Sequence, residues 1–167
     1  MKRSLYSLIA LGVLYFDLWT KHLIEENFSL YSFKTIIPGL LELTHTRNTG
    51  MAFGVLSDFA SPQLPYILSA VSMIAFLLIL TFAWYSPVSK HRLQIGLMLV
   101  LGGAAGNLYD RLTHGFVTDF IDVAYKSYHW PTFNVADSAI TIGMGFLLFE
   151  ILKQESSASK KTTPVVP

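Results

Sequence analysis

The chain has 167 residues, 52% of them hydrophobic and only 14% charged, with a mean hydropathy of +0.47. A soluble domain carries about a quarter charged residues, so the deficit points to one compact integral membrane domain rather than a large soluble core. A net charge of +1 offers no basic field for nucleic acid, and the absence of cysteine excludes disulfides, thiolate metal sites and a cysteine nucleophile.

Four apolar segments follow in chain order: Ser4–Trp19, Leu64–Tyr85, Leu93–Tyr109 and Val135–Leu152. Lys2 and Arg3 precede the first, as in a secretory signal peptide. No small-x-small cleavage site follows, however, and the segment reads as a retained helix reaching Asp17-Leu-Trp-Thr-Lys21. Asp17 and Lys21 have i,i+4 spacing with the acid first, which suits a helix-end ion pair or a structural role in a polar pocket. The connection from Ile24 to Gln63 is too long for a simple loop. Within it, Pro38-Gly39 marks a turn, and Leu41-Glu-Leu-Thr-His-Thr-Arg47 alternates as a half-exposed strand. Asn48-Thr-Gly50 reads as a turn whose Asn48 amide is also available to a peptide backbone. Between Gly50 and Phe59, the residues Met51, Ala52, Phe53, Val55, Leu56 and Phe59 pattern as a short amphipathic interfacial helix.

The second segment rises about 33 Å as a helix, enough to span hydrocarbon, with Pro65 harmless in its first turn. The third carries Gly102-Gly-Ala-Ala-Gly106, whose small residues suit close helix packing or a groove that admits a substrate chain. Asn107 and Arg111 follow on one helix face, and Arg111 reads as an interfacial anchor or, beside Asn107, as part of a site. The next loop holds a strand candidate at Phe116 to Val123 and another around Tyr128 to Phe133, which can pair into a small sheet. In the fourth segment, Asn134 and Asp137 are three apart, and the plain reading is an N-cap with a first-turn acid. The expected helices run over about 4–22, 64–85, 93–111 and 135–152, forming one domain over residues 1–153. Residues 154–167 are expected to form a disordered tail.

Basic residues set the expected orientation. Lys2, Arg3, Lys90, Arg92, Lys153, Lys160 and Lys161 share one side if there are four spans, so both termini should be cytoplasmic and the 1–2 and 3–4 loops should face outward.

Asp119 and Asp137 flank the last outward loop. Ionisable groups at the edge of a bilayer are costly and usually mark function, and two converging carboxylates are what an aspartic protease needs. Asp122 is a rival for the chemistry, but in a strand it would point away from the face of Asp119. The five histidines are scattered, with no H-E-x-x-H or comparable zinc spacing, and no G-x-S-x-G element supports a serine hydrolase.

Taken together these motifs resemble the lipoprotein signal peptidase (signal peptidase II) family of bacterial intramembrane aspartic proteases. The blocks that carry the likeness are Asp17-Leu-Trp-Thr-Lys21, Arg47-Asn-Thr-Gly-Met-Ala-Phe53, Gly102-Gly-Ala-Ala-Gly-Asn-Leu-Tyr-Asp-Arg111, Val117-Thr-Asp-Phe-Ile-Asp122 and Phe133-Asn-Val-Ala-Asp-Ser138, in that order. Met51 stands where the family commonly has Ala. The resemblance implies a mainly α membrane protein with four transmembrane helices, a small extracytoplasmic antiparallel β-sheet forming a cradle, and a short interfacial helix. It assigns catalysis to Asp119 and Asp137, demotes Asp122, and makes Asp17, Lys21, Asn48, Gly50, Asn107, Arg111 and Asn134 substrate-binding or supporting residues. The implied substrate is a diacylglyceryl-modified prolipoprotein, cut before its lipidated cysteine by a monomer in the bacterial inner membrane, beside membrane lipid and with neither metal nor cofactor. The runner-up is a small proton-coupled transporter using the paired aspartates as a relay, although four short spans without an evident repeat argue against it. A non-enzymatic assembly factor is the third reading, and it expects Asp137→Asn to preserve function.

Overall fold

A computed structural model of the chain describes residues 3–50, 63–126 and 128–159. Its elements are α1 (Arg3–Asn27), β1 (Phe33–Ile37), β2 (Leu41–Asn48), α2 (Leu64–Tyr85), α3 (His91–Thr113), β3 (Val117–Tyr125), β4 (Tyr128–His129) and α4 (Val135–Ser159). The interfacial helix expected over Met51 to Phe59 lies outside the described residues. So do residues 160–167 of the expected tail, whereas α4 runs on through residue 159. The apolar stripe ends at Leu152, but Lys153-Gln-Glu155 are good helix formers and continue the backbone hydrogen bonding beyond it.

Among the described residues three helices are long and apolar enough to cross a membrane: α1, α2 and α4, with mean hydropathies of 1.2, 2.4 and 1.7. Their outward side chains, such as Leu11, Leu78 and Leu148, are more than half exposed, as expected where lipid replaces water. The 23-residue α3 falls short on composition because it carries Gln94, Asn107, Asp110 and Arg111. It compensates by position. It is the central helix, packed against α1, α2 and α4, and Gln94, Asn107 and Asp110 are all buried.

Small residues make that centrality possible. A Cβ at Gly102 would lie 2.7 Å from the Ala10 carbonyl, and one at Gly106 would lie 2.3 Å from Asp17 Oδ2. Gly102 and Gly106 therefore serve close packing against α1, the first of the two roles expected for them. Gly96 and Gly103, seven residues apart on another face, do the same for α4. By contrast, α2 leans on α3 with only marginal contact to α1 or α4, leaving a crevice on each of its flanks.

The strands form one antiparallel sheet in the order β1-β2-β3-β4. β1 was not foreseen, although Thr35-Ile-Ile37 is β-branched and precedes the Pro38-Gly39 turn that closes the hairpin, with Gly39 at φ +72°. β2 pairs Leu43 with Ile121 but Thr46 with Asp119, so one extra residue bulges from β2 at Thr44–His45. Simple alternation would turn Asn48 to the face opposite Leu41 and Leu43. The bulge resets the parity, and Asn48 joins Thr46 and Asp119 on one face.

Candidate active site

Asp119 comes from the middle of β3 and Asp137 from the first turn of α4. Both line a cavity of about 320 Å³ together with Asn48, Asn107 and Arg111. Its remaining wall is apolar apart from Ser72. Leu68, Val71, Ala75 and Ile79 form a stripe along α2, faced by Ile140 and Met144 of α4. A trough thus runs from the two acids into the membrane-spanning part of the bundle.

Each carboxylate is held at both oxygens. Asn134 Nδ2 donates to Asp119 Oδ1 at 2.7 Å, and Asn48 Nδ2 donates to Asp119 Oδ2 at 2.9 Å. Asn107 Nδ2 donates to Asp137 Oδ1 at 2.8 Å, and the Asn134 backbone N–H donates to Asp137 Oδ2 at 3.3 Å. Asn134 Oδ1 in turn accepts the Asp137 N–H at 2.9 Å. Asn134 and Asp137 therefore form a reciprocal capping box at the start of α4. The plain reading of an N-cap with a first-turn acid is correct but incomplete, because the other end of the Asn134 amide holds the second acid.

Asp119 is 1% exposed, and burial is the chief cause that pushes its carboxyl up to about 7. The nearby Asp137 charge raises it further, while the Asn48 and Asn134 hydrogen bonds and the more distant Lys21 charge pull it down.

Behind the acids lies a second, fully buried layer. Lys21 Nζ reaches Asp17 at 2.7 Å, Asp110 at 2.9 Å and Asn107 Oδ1 at 3.0 Å. Asp17 Oδ1 accepts the Ala136 N–H at 2.8 Å, which ties α1 to the first turn of α4. Asp110 Oδ2 accepts the Thr118 N–H at 3.2 Å, which fixes the residue before Asp119. Asp17 and Lys21 thus make the expected ion pair, and each also bonds a group next to the acids. A lysine with two acid partners and an amide is a tolerable buried charge, but only while the set is complete.

Of the residues singled out from sequence, Asp17, Lys21, Asn48, Asn107, Asn134, Asp119 and Asp137 join one connected network. Arg111 lines the cavity and donates to the Gly50 carbonyl at 3.4 Å, while the Gly50 N–H closes a turn on Asn48 Oδ1 at 2.9 Å. Asp122 stands apart, on the other face of β3, paired with His129 at 2.9 Å. Gly102 and Gly106 do not line this cavity, where Ala104 takes the small-residue position on α3. The sequence reading missed Asp110 and Thr118 as supporting groups. Asp110, three residues after Asn107, carried a usable signal; Thr118, whose hydroxyl bonds Glu25 at 2.5 Å, carried none. Among the described residues no group of three or more His, Asp or Glu side chains is placed to hold a metal ion.

Comparison with known proteins gives a consistent set of likenesses. A family model described as signal peptidase (SPase) II matches residues 9–153. The lipoprotein signal peptidase of Solibacter usitatus (strain Ellin6076) is 42% identical over 143 residues, covering 86% of this chain and 87% of the relative. That of Geobacter sulfurreducens is 40% identical over 151 residues, covering 90% and 93%. A solved structure described as a bacterial membrane enzyme, obtained by the in meso method at 2.3 Å resolution, superposes with a TM-score of 0.77 at 32% identity. That match covers 98% of this chain and 95% of the other.

Proposed function

The chain belongs to the signal peptidase II family, and from that premise we propose that it is an aspartic endopeptidase acting on diacylglyceryl-modified prolipoproteins. It cuts before the lipidated cysteine and so frees the signal peptide. The observation that carries this reading is the placement of Asp119 and Asp137 on one cavity, with all four carboxylate oxygens already held by protein donors. Such clamping fixes both acids at one location without using the lone pairs that would face a water between them.

Asp119 carries the proton that the pair shares, because burial and its neighbour favour the neutral form. Ionised Asp137 takes a proton from a bound water as that water attacks the scissile carbonyl, and Asp119 donates its proton toward the developing oxyanion. Collapse of the tetrahedral intermediate expels the amine of the cysteine, protonated through Asp137, and regenerates the pair. Arg111, which lines the cavity, binds the substrate backbone; Asn48, Asn107, Asn134, Asp17 and Lys21 hold the acids in place.

The apolar trough along α2 accommodates the hydrophobic part of the signal peptide, and the acyl chains remain in the bilayer. In this reading α3 is the fourth span, its polar groups covered by the three lipid-facing helices. Both termini are cytoplasmic, the sheet and the acids lie at the opposite face of a bacterial inner membrane, and a monomer carries the whole site within residues 1–153. The transporter alternative finds no support in the family membership. Cleavage of a diacylglyceryl-modified prolipoprotein by the purified protein, with Asp119→Asn and Asp137→Asn alongside, is the test. Cleavage by the parent and none by either folded variant is expected, whereas full cleavage by both variants would exclude the aspartic mechanism.

A further inference from the structure

The second crevice beside α2 lies between α1, α2 and α3 and encloses about 600 Å³. Leu11, Leu14, Leu80, Met98 and Leu101 make its walls apolar, and the partial exposure of Leu11 and Leu80 shows that it opens outward, where hydrocarbon would lie. Its polarity is confined to one end. There the Arg3 guanidinium donates to the carbonyls of Ala83, Trp84 and Ser86 and lies 5.4 Å from the centre of the Trp84 ring, with Ser4 and Ser7 beside it. Among the described residues no acidic side chain lies within ion-pair distance of Arg3.

We propose that this crevice binds an anionic phospholipid from the leaflet on the side of the chain termini, with one acyl chain between α1 and α2 and the phosphate at Arg3. The site takes its depth from the reading of α1 and α2 as membrane spans, but it does not depend on the cleavage reaction. Its volume falls in the range of about 300–1,000 Å³ typical of small-molecule sites. An apolar tube ending in a fixed cation matches a molecule with an apolar tail and an anionic head, and basic pockets between spanning helices hold lipid head groups on this principle. Guanidinium has five N–H groups in a planar fork, so three backbone carbonyls leave donors for phosphate oxygens. A peptide suits the crevice less well. Away from Arg3, its lining offers no side-chain amide or carboxylate to a peptide backbone, unlike the trough below Asp119 and Asp137.

Trp84 lines the crevice and reports on it. In full-length protein carrying Trp19→Phe and Trp130→Phe, Trp84 is the remaining tryptophan of three. Lipids brominated near the carboxyl end of the acyl chain should quench its fluorescence. Brominated phosphatidylglycerol is expected to do so at about fivefold lower concentration than brominated phosphatidylcholine, the worth of one cation near a head group. Arg3→Gln should make the two lipids equal, Arg3→Lys should retain most of the preference, and Ser7→Phe, which fills the crevice, should weaken quenching by both. Native mass spectrometry of the unsubstituted chain gives the same ratio as bound-lipid adducts if the tryptophan variants fold poorly. Equal affinity for the two lipids in the parent, a preference untouched by Arg3→Gln, or quenching untouched by Ser7→Phe would reduce the occupant to bulk lipid and overturn the proposal. So would displacement of the lipid by a signal peptide at concentrations that saturate cleavage. Because the readout is lipid binding, an inactive Asp119→Asn protein should give the same result, which separates failure here from failure of the proposed catalysis.

Discussion

The crevices on the two flanks of α2 share that helix and its partner α3, yet they differ in where polarity is placed and how it is held. On the α4 flank, two acids sit at one end of an apolar trough, each gripped at both oxygens and backed by a buried lysine network. On the α1 flank, one arginine sits at the opposite end of the bundle, and among the described residues its side-chain hydrogen bonds go to backbone carbonyls at the end of α2. The first arrangement fixes charge where a reaction would develop it. The second presents charge to something that arrives with its own. Apolar lining is therefore common to both crevices, and function divides according to what stands at the polar end.

The largest effect that would test this division is loss of either acid. Asp119→Asn or Asp137→Asn should lower kcat/KM for prolipoprotein cleavage by at least about a thousandfold, within the range of general acid–base contributions. Ser7→Phe on the other flank should leave cleavage near the parent value. A strong loss in Ser7→Phe would break the division by placing substrate in both crevices. Next is Lys21→Met, which strands Asp17 and Asp110 without a cation. Removing one partner of a buried ionic set costs about 3–5 kcal/mol, read as a lowered denaturation midpoint in detergent. Adding Asp17→Asn to that variant should recover part of the loss by leaving one buried acid instead of two.

A smaller, more local effect is expected at Gly103. A Cβ there would lie 2.4 Å from the backbone carbonyl of Ala136, in the turn of α4 that carries Asp137, and a carbonyl cannot swing aside as a side chain can. Gly103→Ala should cost about 1–3 kcal/mol by overpacking. It should also lower kcat more than it raises KM, because it moves one acid relative to the other. Gly12→Ala has open space around it and should be neutral or slightly stabilising.

Much of this was legible in the chain because the signals are local. The apolar run of α2 over residues 64–85 carries no charged residue, with Pro65 in its first turn and Pro87 just beyond its end, and its limits agree with the structure. The i,i+4 spacing of Asp17 and Lys21 and the i,i+3 spacing of Asn134 and Asp137 announced side chains that share a face. α1 and α3 extend several residues beyond their apolar cores: Asp17 and Lys21 in α1 and Asn107 and Asp110 in α3 are buried by their neighbours, while the last turns, with His22 and Glu26 in α1 and Thr113 in α3, are exposed. Tertiary partnership was less legible. Nothing in Leu41-Glu-Leu-Thr-His-Thr-Arg47 announces the bulge that brings Asn48 to Asp119, and nothing local tells Asp110 that its partners are Lys21 and the Thr118 N–H. The acid held by its neighbour in sequence could be anticipated, and the acid held from another strand could not.

That bulge supplies the finest test of how the end that holds the two acids is tuned. If Asp119 must be protonated for catalysis, cleavage should fall as pH rises through about 7, the value to which burial and Asp137 push its carboxyl. The Asn48 hydrogen bond favours the ionised form and so lowers that value. Asn48→Ala removes the bond, raises the pKa and moves the alkaline limb of kcat to higher pH. Loss of positioning should lower the plateau by about tenfold at most, since Asn134 still holds Oδ1. A kcat–pH profile of the parent and Asn48→Ala separates the two contributions. An alkaline limb displaced upward shows that Asn48 tunes the proton that Asp119 carries, a lowered plateau with unmoved limbs would leave it a purely geometric clamp, and an upward displacement of the acidic limb instead would mean that Asp119 works as the ionised member of the pair.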